Sequence, residues 1–276
     1  MRRVAFINEK GGTCKTTLCV NMGAWLARRH ARRVLVADLD TQGHAGKSLG
    51  IDVRGLAPTM RDLLLGGAAL EAVVRPTAVP RLDLIPANKE LASFPVDAAP
   101  LADRADRLRV VVDALPPDRW DLVLFDAPPS ISLVTENVLR AATEVVLPVA
   151  LTYLALDGCA EIMGSLARLR EETGSAPTVT LIVPALYRKT QLADEILAKL
   201  RERFPGEIAR TVLGWSVKID EAQSHGLTIF EYAPASQGAH ALSALADELL
   251  ARAPAEEPGS VGPERGAAGA TGTGRA

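Results

Sequence analysis

VAFINEKGGTCKTT, residues 4–17, joins an apolar β-type run to the start of an amphipathic helix through a glycine pair. A strand, a tight turn and Lys-Thr at a helix N-terminus make a cradle for phosphate. Backbone N–H groups and the helix end face the anion, a lysine spans the outer phosphates, and a threonine hydroxyl reaches Mg²⁺. Lys15 and Thr16 fit the last two roles, with Gly11, Gly12, Thr13, Cys14 and Thr17 supplying the rest of the loop. The common pattern G-x-x-x-x-G-K-[ST] fails twice, because Glu9 and Cys14 stand at its two glycine positions. The reading therefore depends on what surrounds the loop.

Outward from it, short apolar runs alternate with longer amphipathic ones. Strands are expected at Val4–Asn8, Val34–Asp38, Leu82–Pro86, Leu122–Asp126, Glu144–Pro148 and Thr178–Pro184, with a weaker seventh near Ile208–Leu213. Helices are expected at Lys15–Arg29, Ala102–Leu115, Val134–Ala141, Asp157–Glu172, Gln191–Arg203 and Gly238–Ala251. The alternation predicts an α/β fold, a mostly parallel doubly wound sheet covered by helices on both faces. One domain over residues 1–252 is expected, because from 253 to 276 the composition turns to Ala, Gly, Pro, Glu and Thr without apolar period. That tail is expected to be disordered.

At 276 residues and 48% hydrophobic content the chain is long enough for a full core. Its net charge of −2 gives no global attraction to nucleic acid, so any such binding needs a local patch. Cys14, Cys19 and Cys159 follow no paired spacing, which argues against a disulfide framework or zinc site and fits a reducing cytosol. No run of 18 uncharged apolar residues occurs, and Met1–Arg3 leads directly into a strand. A soluble cytoplasmic protein is expected.

Ligands of such sheets bind at the carboxyl ends of the strands. Three features gather there: the loop Glu9–Thr17, the segment ADLDTQGHAG (37–46) with Asp38 and Asp40, and LVLFDAPPS (122–130), where Asp126 ends an apolar strand. Thr16 with a carboxylate such as Asp126 suits Mg²⁺, which takes oxygen ligands and keeps several waters. Asp40 is placed to orient an attacking water. Taken singly, either aspartate serves equally well as a cap or turn residue; the coincidence of three features in one βαβ order makes the nucleotide site.

At these residues the chain resembles the ParA/MinD group of P-loop ATPases, whose deviant loop reads K-G-G-x-G-K-[ST]. Lys10–Thr16 matches it except at Cys14. The likeness continues through Asp38–Gly43, near the group's D-x-D-P-Q-G, through Asp126–Ser130, like its switch II, and through Glu221–Gly226, near E-A-P-S-x-G. It spans residues 3–252. The resemblance implies ATP and Mg²⁺ as cofactors, ATP hydrolysis, and a homodimer sandwiching two nucleotides on ATP binding. It implies that Lys10 reaches the partner's nucleotide, Lys15 binds the β/γ-phosphates, Thr16 ligates Mg²⁺, Asp40 positions the hydrolytic water and Asp126 supports Mg²⁺.

Cys14 departs from the group. Ordinary right-handed helical dihedrals would let a small side chain sit there, with slowed hydrolysis as one outcome. Redox control is the other reading, because a helix N-terminus and Lys15 would lower the thiol pKa.

Within the group, the Gly/Pro/Ala-rich stretch 252–276 lacks the amphipathic face of a membrane helix, so no membrane partner is expected. Too few cysteines remain for a shared iron–sulfur cluster. The tail has no tyrosine, and the chain starts at its first strand without a helix-turn-helix. What remains resembles a small partitioning or cargo-positioning ATPase, nucleoid-associated through non-specific DNA binding and stimulated by a ParB-like or other activating protein. Arg188, Lys189 and Lys218 are the foremost DNA-binding candidates, with Arg201, Arg203 and Arg210 behind them. Gly214-Trp215 stands where the group often has Pro-Arg, implying a weaker or shifted patch. Division-site positioning is the alternative within the group. Outside it stands a small-molecule kinase or ligase resembling dethiobiotin synthetase, and a scaffold that barely hydrolyses ATP is a third reading.

Overall fold

The computed structural model describes residues 1–153 and 155–252. The tail expected to be disordered lies outside them. Seven strands, β1 (Arg2–Phe6), β2 (Val34–Asp38), β3 (Arg75–Pro76), β4 (Leu82–Ile85), β5 (Leu122–Asp126), β6 (Glu144–Ala150) and β7 (Thr178–Ala185), form one sheet in the order β3-β4-β2-β5-β1-β6-β7. Every pairing is parallel except β3–β4.

Both faces are buried, as a parallel sheet requires. Val4 and Phe6 point into one apolar cluster, Ala5 and Ile7 into the other, and none is accessible to water. The helix Lys15–Arg29 lies against the sheet beside the helix Gln237–Ala251. Gly23 makes its close approach feasible: a Cβ there would stand 3.0 Å from Leu124 Cδ1. Among the described residues no helix is long and apolar enough to cross a membrane.

Six of the expected strands form, with boundaries within about two residues of expectation. The seventh does not form at Ile208–Leu213. That segment runs beside β7 with isolated bridges at Ile182–Ile208 and Tyr187–Gly214. The ladder breaks because the buried Glu248 carboxylate takes the N–H groups of Arg210 and Thr211, each at 2.9 Å. The actual seventh strand, β3, is two residues long, ends in Pro76 and carries no periodic signal.

The helix expected over Ala102–Leu115 is regular only at Arg107–Asp113. Buried Asn137 is inserted where the helix would continue. Its amide donates to Arg104 O at 2.8 Å and its oxygen accepts Leu108 N–H at 3.0 Å, replacing the i→i−4 bond between those two residues. Short helices at His44–Ser48, Met60–Leu64, Leu70–Val73, Phe94–Asp97, Val217–Ser224 and Ile229–Tyr232 were not anticipated. Each is eight residues or fewer, too short for a helical period to stand out.

Candidate nucleotide-binding site

The register places the chemistry. Phe6 of β1 pairs with Asp126 of β5, and Asp126 pairs with Asp38 of β2. Three adjacent strands thus end level, and the loops leaving them share one edge. The phosphate loop leaves β1 through Asn8, whose amide donates to Pro148 O at 2.7 Å and accepts Lys10 N–H at 2.9 Å. Asn8 is buried, so this pair of bonds both satisfies it and fixes the first turn.

Gly12 has φ 70°, and nothing lies within 4 Å of the Cβ it lacks. Cys14, the residue before the helix Lys15–Arg29, has φ 70° and ψ 24°. This corrects the expectation of ordinary helical dihedrals. Cysteine here is left-handed, at a cost of about 1–2 kcal/mol relative to glycine. The expected low thiol pKa is overturned too. Burial, then the negative charge of Asp220, pushes the Cys14 thiol up to about 11 against the opposing pull of Lys15. Desolvation outweighs the neighbouring ammonium.

A cleft of about 510 Å³ opens over the loop. Gly11 to Thr17 line it together with Asp40, Gln42 and Pro129. Lys15 is buried, with its ammonium donating to Lys10 O at 3.0 Å, and burial lowers its pKa despite Asp126 and Asp40. Thr16 Oγ1 donates to Asp126 Oδ2 at 2.7 Å. Asp126 is wholly buried and its other oxygen, Oδ1, has no partner. Burial drives its pKa to about 7, the Thr16 hydroxyl opposes, Asp40 adds to the rise, and Lys15 counters it. Asp38 is equally buried and also raised, by desolvation and by Asp126. Its two oxygens accept Asp40 N–H at 3.0 Å and Ala45 N–H at 3.1 Å, so it shapes the loop carrying Asp40. Asp40 itself is half-buried and accepts Gln42 N–H at 3.0 Å.

These groups suit Mg²⁺ bound through phosphate. An orphaned carboxylate oxygen, buried beside a threonine hydroxyl, is a hard oxygen donor of the kind Mg²⁺ takes, directly or through water. Mg²⁺ needs no cage of protein ligands, because phosphate oxygens and water complete its shell.

Lys15, Thr16 and Asp40 therefore converge, with Asp126 beneath them. Lys10 is set apart: its side chain lies against the helix Ala155–Thr173, where a Cβ on Gly158 would stand 3.7 Å from Lys10 Nζ. Sequence reading assigned no role to His44, Lys47, Ser48, Gln223 or Ser224, all of which line the cleft. Gln223 Nε2 donates to Thr17 Oγ1 at 2.8 Å, tying the stretch Glu221–Gly226 to the phosphate loop. The signal was that stretch's resemblance to E-A-P-S-x-G.

The basic candidates lie elsewhere. Arg188 and Lys189 follow β7, and Lys218 sits in the first turn of the helix Val217–Ser224, with its ammonium 2.8 Å from Glu221 Oε2. Arg201 and Arg203 end the helix Gln191–Arg203, and Arg210 Nε lies 4.0 Å from Glu248.

The parallel sheet, the glycine turn after β1 and the level acidic strand ends define a P-loop nucleotide-binding protein. The chain belongs to the ParA/Soj family of deviant P-loop ATPases. A family profile described as an AAA domain matches residues 1–178. The chromosome-partitioning ATPase Soj of Thermus thermophilus is 41% identical over 256 residues, covering 91% of this chain and 96% of that protein. The cell division protein PomZ of Myxococcus xanthus is 32% identical over 252 residues, 91% of this chain and 78% of its own length. Among solved structures, one described as cobyrinic acid a,c-diamide synthase from Mycobacterium smegmatis, with bound ATP analogue and magnesium, superposes with a TM-score of 0.78. It is 29% identical and covers 91% of this chain and 94% of that one. The fold class and the family resemblance expected from sequence both hold.

Proposed function

We propose that this chain is an ATP-driven positioning switch: it binds ATP and Mg²⁺, dimerises, holds DNA non-specifically, and returns to monomers on hydrolysis. The observation that carries the reading is the convergence of Lys15, Thr16 and Asp40 on one cleft above the orphaned Asp126 oxygen. Lys15 exchanges Lys10 O for β/γ-phosphate oxygens, a stronger, charge-assisted partner. Thr16 and Asp126 hold Mg²⁺, which neutralises phosphate charge when bound. Asp40, fixed by the Asp38 scaffold, orients the attacking water.

Lys10 leaves its place beside Gly158 and crosses to the partner subunit's nucleotide, so phosphate contacts are completed only in the dimer. Arg188, Lys189 and Lys218 supply phosphate contacts to DNA, and dimerisation doubles their number. A ParB-like or other activating protein stimulates hydrolysis. The protein is cytoplasmic and nucleoid-associated, and its cargo is a chromosome, a plasmid or a division-site assembly.

Size-exclusion chromatography and DNA co-sedimentation with ATP, ADP and no nucleotide test the reading. Asp40→Ala is expected to trap an ATP dimer on DNA, and Lys15→Ala to abolish both dimer and DNA binding. DNA retention unchanged by nucleotide refutes the switch. The solved relative described as a diamide synthase supports a second reading, ATP-dependent amidation of a small carboxylic acid. That reading predicts ADP release dependent on such an acceptor and on an amine donor rather than on DNA.

A further inference from the structure

The loop after β7 and the segment Leu213–Ser216 run side by side. Tyr187 N–H donates to Leu213 O at 3.1 Å and Trp215 N–H donates to Tyr187 O at 3.0 Å. Leu186, at φ 55°, turns the chain out of the sheet. Tyr187 is held through its hydroxyl, which donates to Asp194 at 2.8 Å, and Thr190 caps the next helix by accepting Ala193 N–H at 3.2 Å. The backbone under Arg188 is thus pinned on both sides.

On this rigid seat two exposed side chains meet. Trp215 is 49% exposed, and the Arg188 guanidinium carbon lies 4.5 Å from its ring centroid. Arg188 also differs from its basic neighbours. Lys218 is paired with Glu221 and Arg210 lies near Glu248, whereas among the described residues Arg188 has no carboxylate within 4.0 Å. A guanidinium held over an indole face is attracted by the ring while its N–H donors stay available in the fork that matches a phosphate. Holding it there in advance removes part of the rotamer entropy lost on binding.

We infer that Trp215 is a positioning residue, a platform that presents Arg188 to the phosphate backbone of a polynucleotide. The inference rests on the DNA-binding reading above and says how this surface does the work where Trp215 replaces an arginine. The platform contributes indirectly: Trp215 orders the contact and Arg188 makes it. An exposed cation–π pair of ordinary strength corresponds to about a two- to fivefold gain in affinity per subunit, and about the square of that where both subunits grip one duplex.

The test measures binding of the full chain, with ATP and Mg²⁺, to a mixed-sequence duplex across a salt series. It uses Arg188→Ala, Trp215→Ala, their double variant and Trp215→Phe, with ATP-dependent dimerisation checking that each variant is folded. Trp215→Ala is expected to weaken binding by about two- to fivefold per subunit and Arg188→Ala by at least as much, the double variant no further than Arg188→Ala, and Trp215→Phe to retain most of the affinity. Additive losses would mean that the indole contacts DNA itself and overturn the platform. So would wild-type binding that Trp215→Ala leaves unchanged. Absence of wild-type binding removes the DNA reading and the platform with it, and that outcome is visible before any variant is compared.

Discussion

At the carboxyl ends of β1, β2 and β5, charges are buried and crowded; beyond β7 they are exposed, and among the described residues Lys218 is closely paired while Arg188 is not. Asp38 and Asp126 have no access to water, burial raises both carboxyls and Asp126 adds to the rise at Asp38, while Asp126 keeps an oxygen without a partner. Lys218, by contrast, has its charge met by Glu221 at 2.8 Å. Unpaid desolvation marks a site awaiting a ligand, because a buried acceptor without a donor costs stability until one arrives. A solvated ion pair marks a surface whose charge must be released before it serves a polyanion.

The largest expected effect tests the buried end. Lys15→Ala removes the buried ammonium of the phosphate loop and is expected to lower ATP turnover by at least ~10²-fold, measured by phosphate release. Next comes Asp126→Asn, which should weaken Mg²⁺-dependent nucleotide binding by roughly 10–100-fold in titration calorimetry. The same variant tests the strain. Because burial raises the Asp126 carboxyl to about 7, its contribution to stability is intact below the ordinary carboxylate range and is lost as pH rises through 7. Denaturant melts of the nucleotide-free protein should therefore show stability falling across that window, and Asp126→Asn should flatten the fall. An unchanged slope would mean that the buried end is not strained.

Smaller effects are expected at the exposed surface beyond β7. Glu221→Gln releases Lys218 and should steepen the logarithmic salt dependence of DNA binding by about 0.9 per subunit. No change would show Lys218 to be outside the DNA footprint. The smallest effect concerns Cys14. Relief of its left-handed backbone by Cys14→Gly should stabilise the protein by about 1 kcal/mol. In the wild type, a thiol at about 11 rather than near the usual 9 should alkylate at pH 8 roughly a hundredfold more slowly than an unburied cysteine. Fast alkylation would return the redox reading to consideration.

The phosphate end was also far more legible in the chain. Val34–Asp38 and Leu122–Asp126 are unbroken apolar runs closed by aspartate, and both strands end where those residues stand. The spacing of Lys15-Thr16 after a glycine turn requires only the few residues around it. Illegible features depended on distant groups: Asn137 interrupting a helix from another element, Glu248 capturing two backbone donors, and the two-residue β3. Lys218 and Arg188 look alike as basic residues in sequence and differ because, among the described residues, a carboxylate packs beside Lys218 and an indole beside Arg188.

Local chemistry, then, determined by itself the alternation of strand and helix, the phosphate loop and the acidic strand ends, because each is written in adjacent residues of fixed periodicity. Tertiary structure alone decided the strand order that levels Asp38, Asp126 and the loop, the left-handed backbone and raised thiol of Cys14, and the stacking of Arg188 on Trp215. Burial and long-range neighbours set those properties, and neither is a property of a residue in its own stretch of chain.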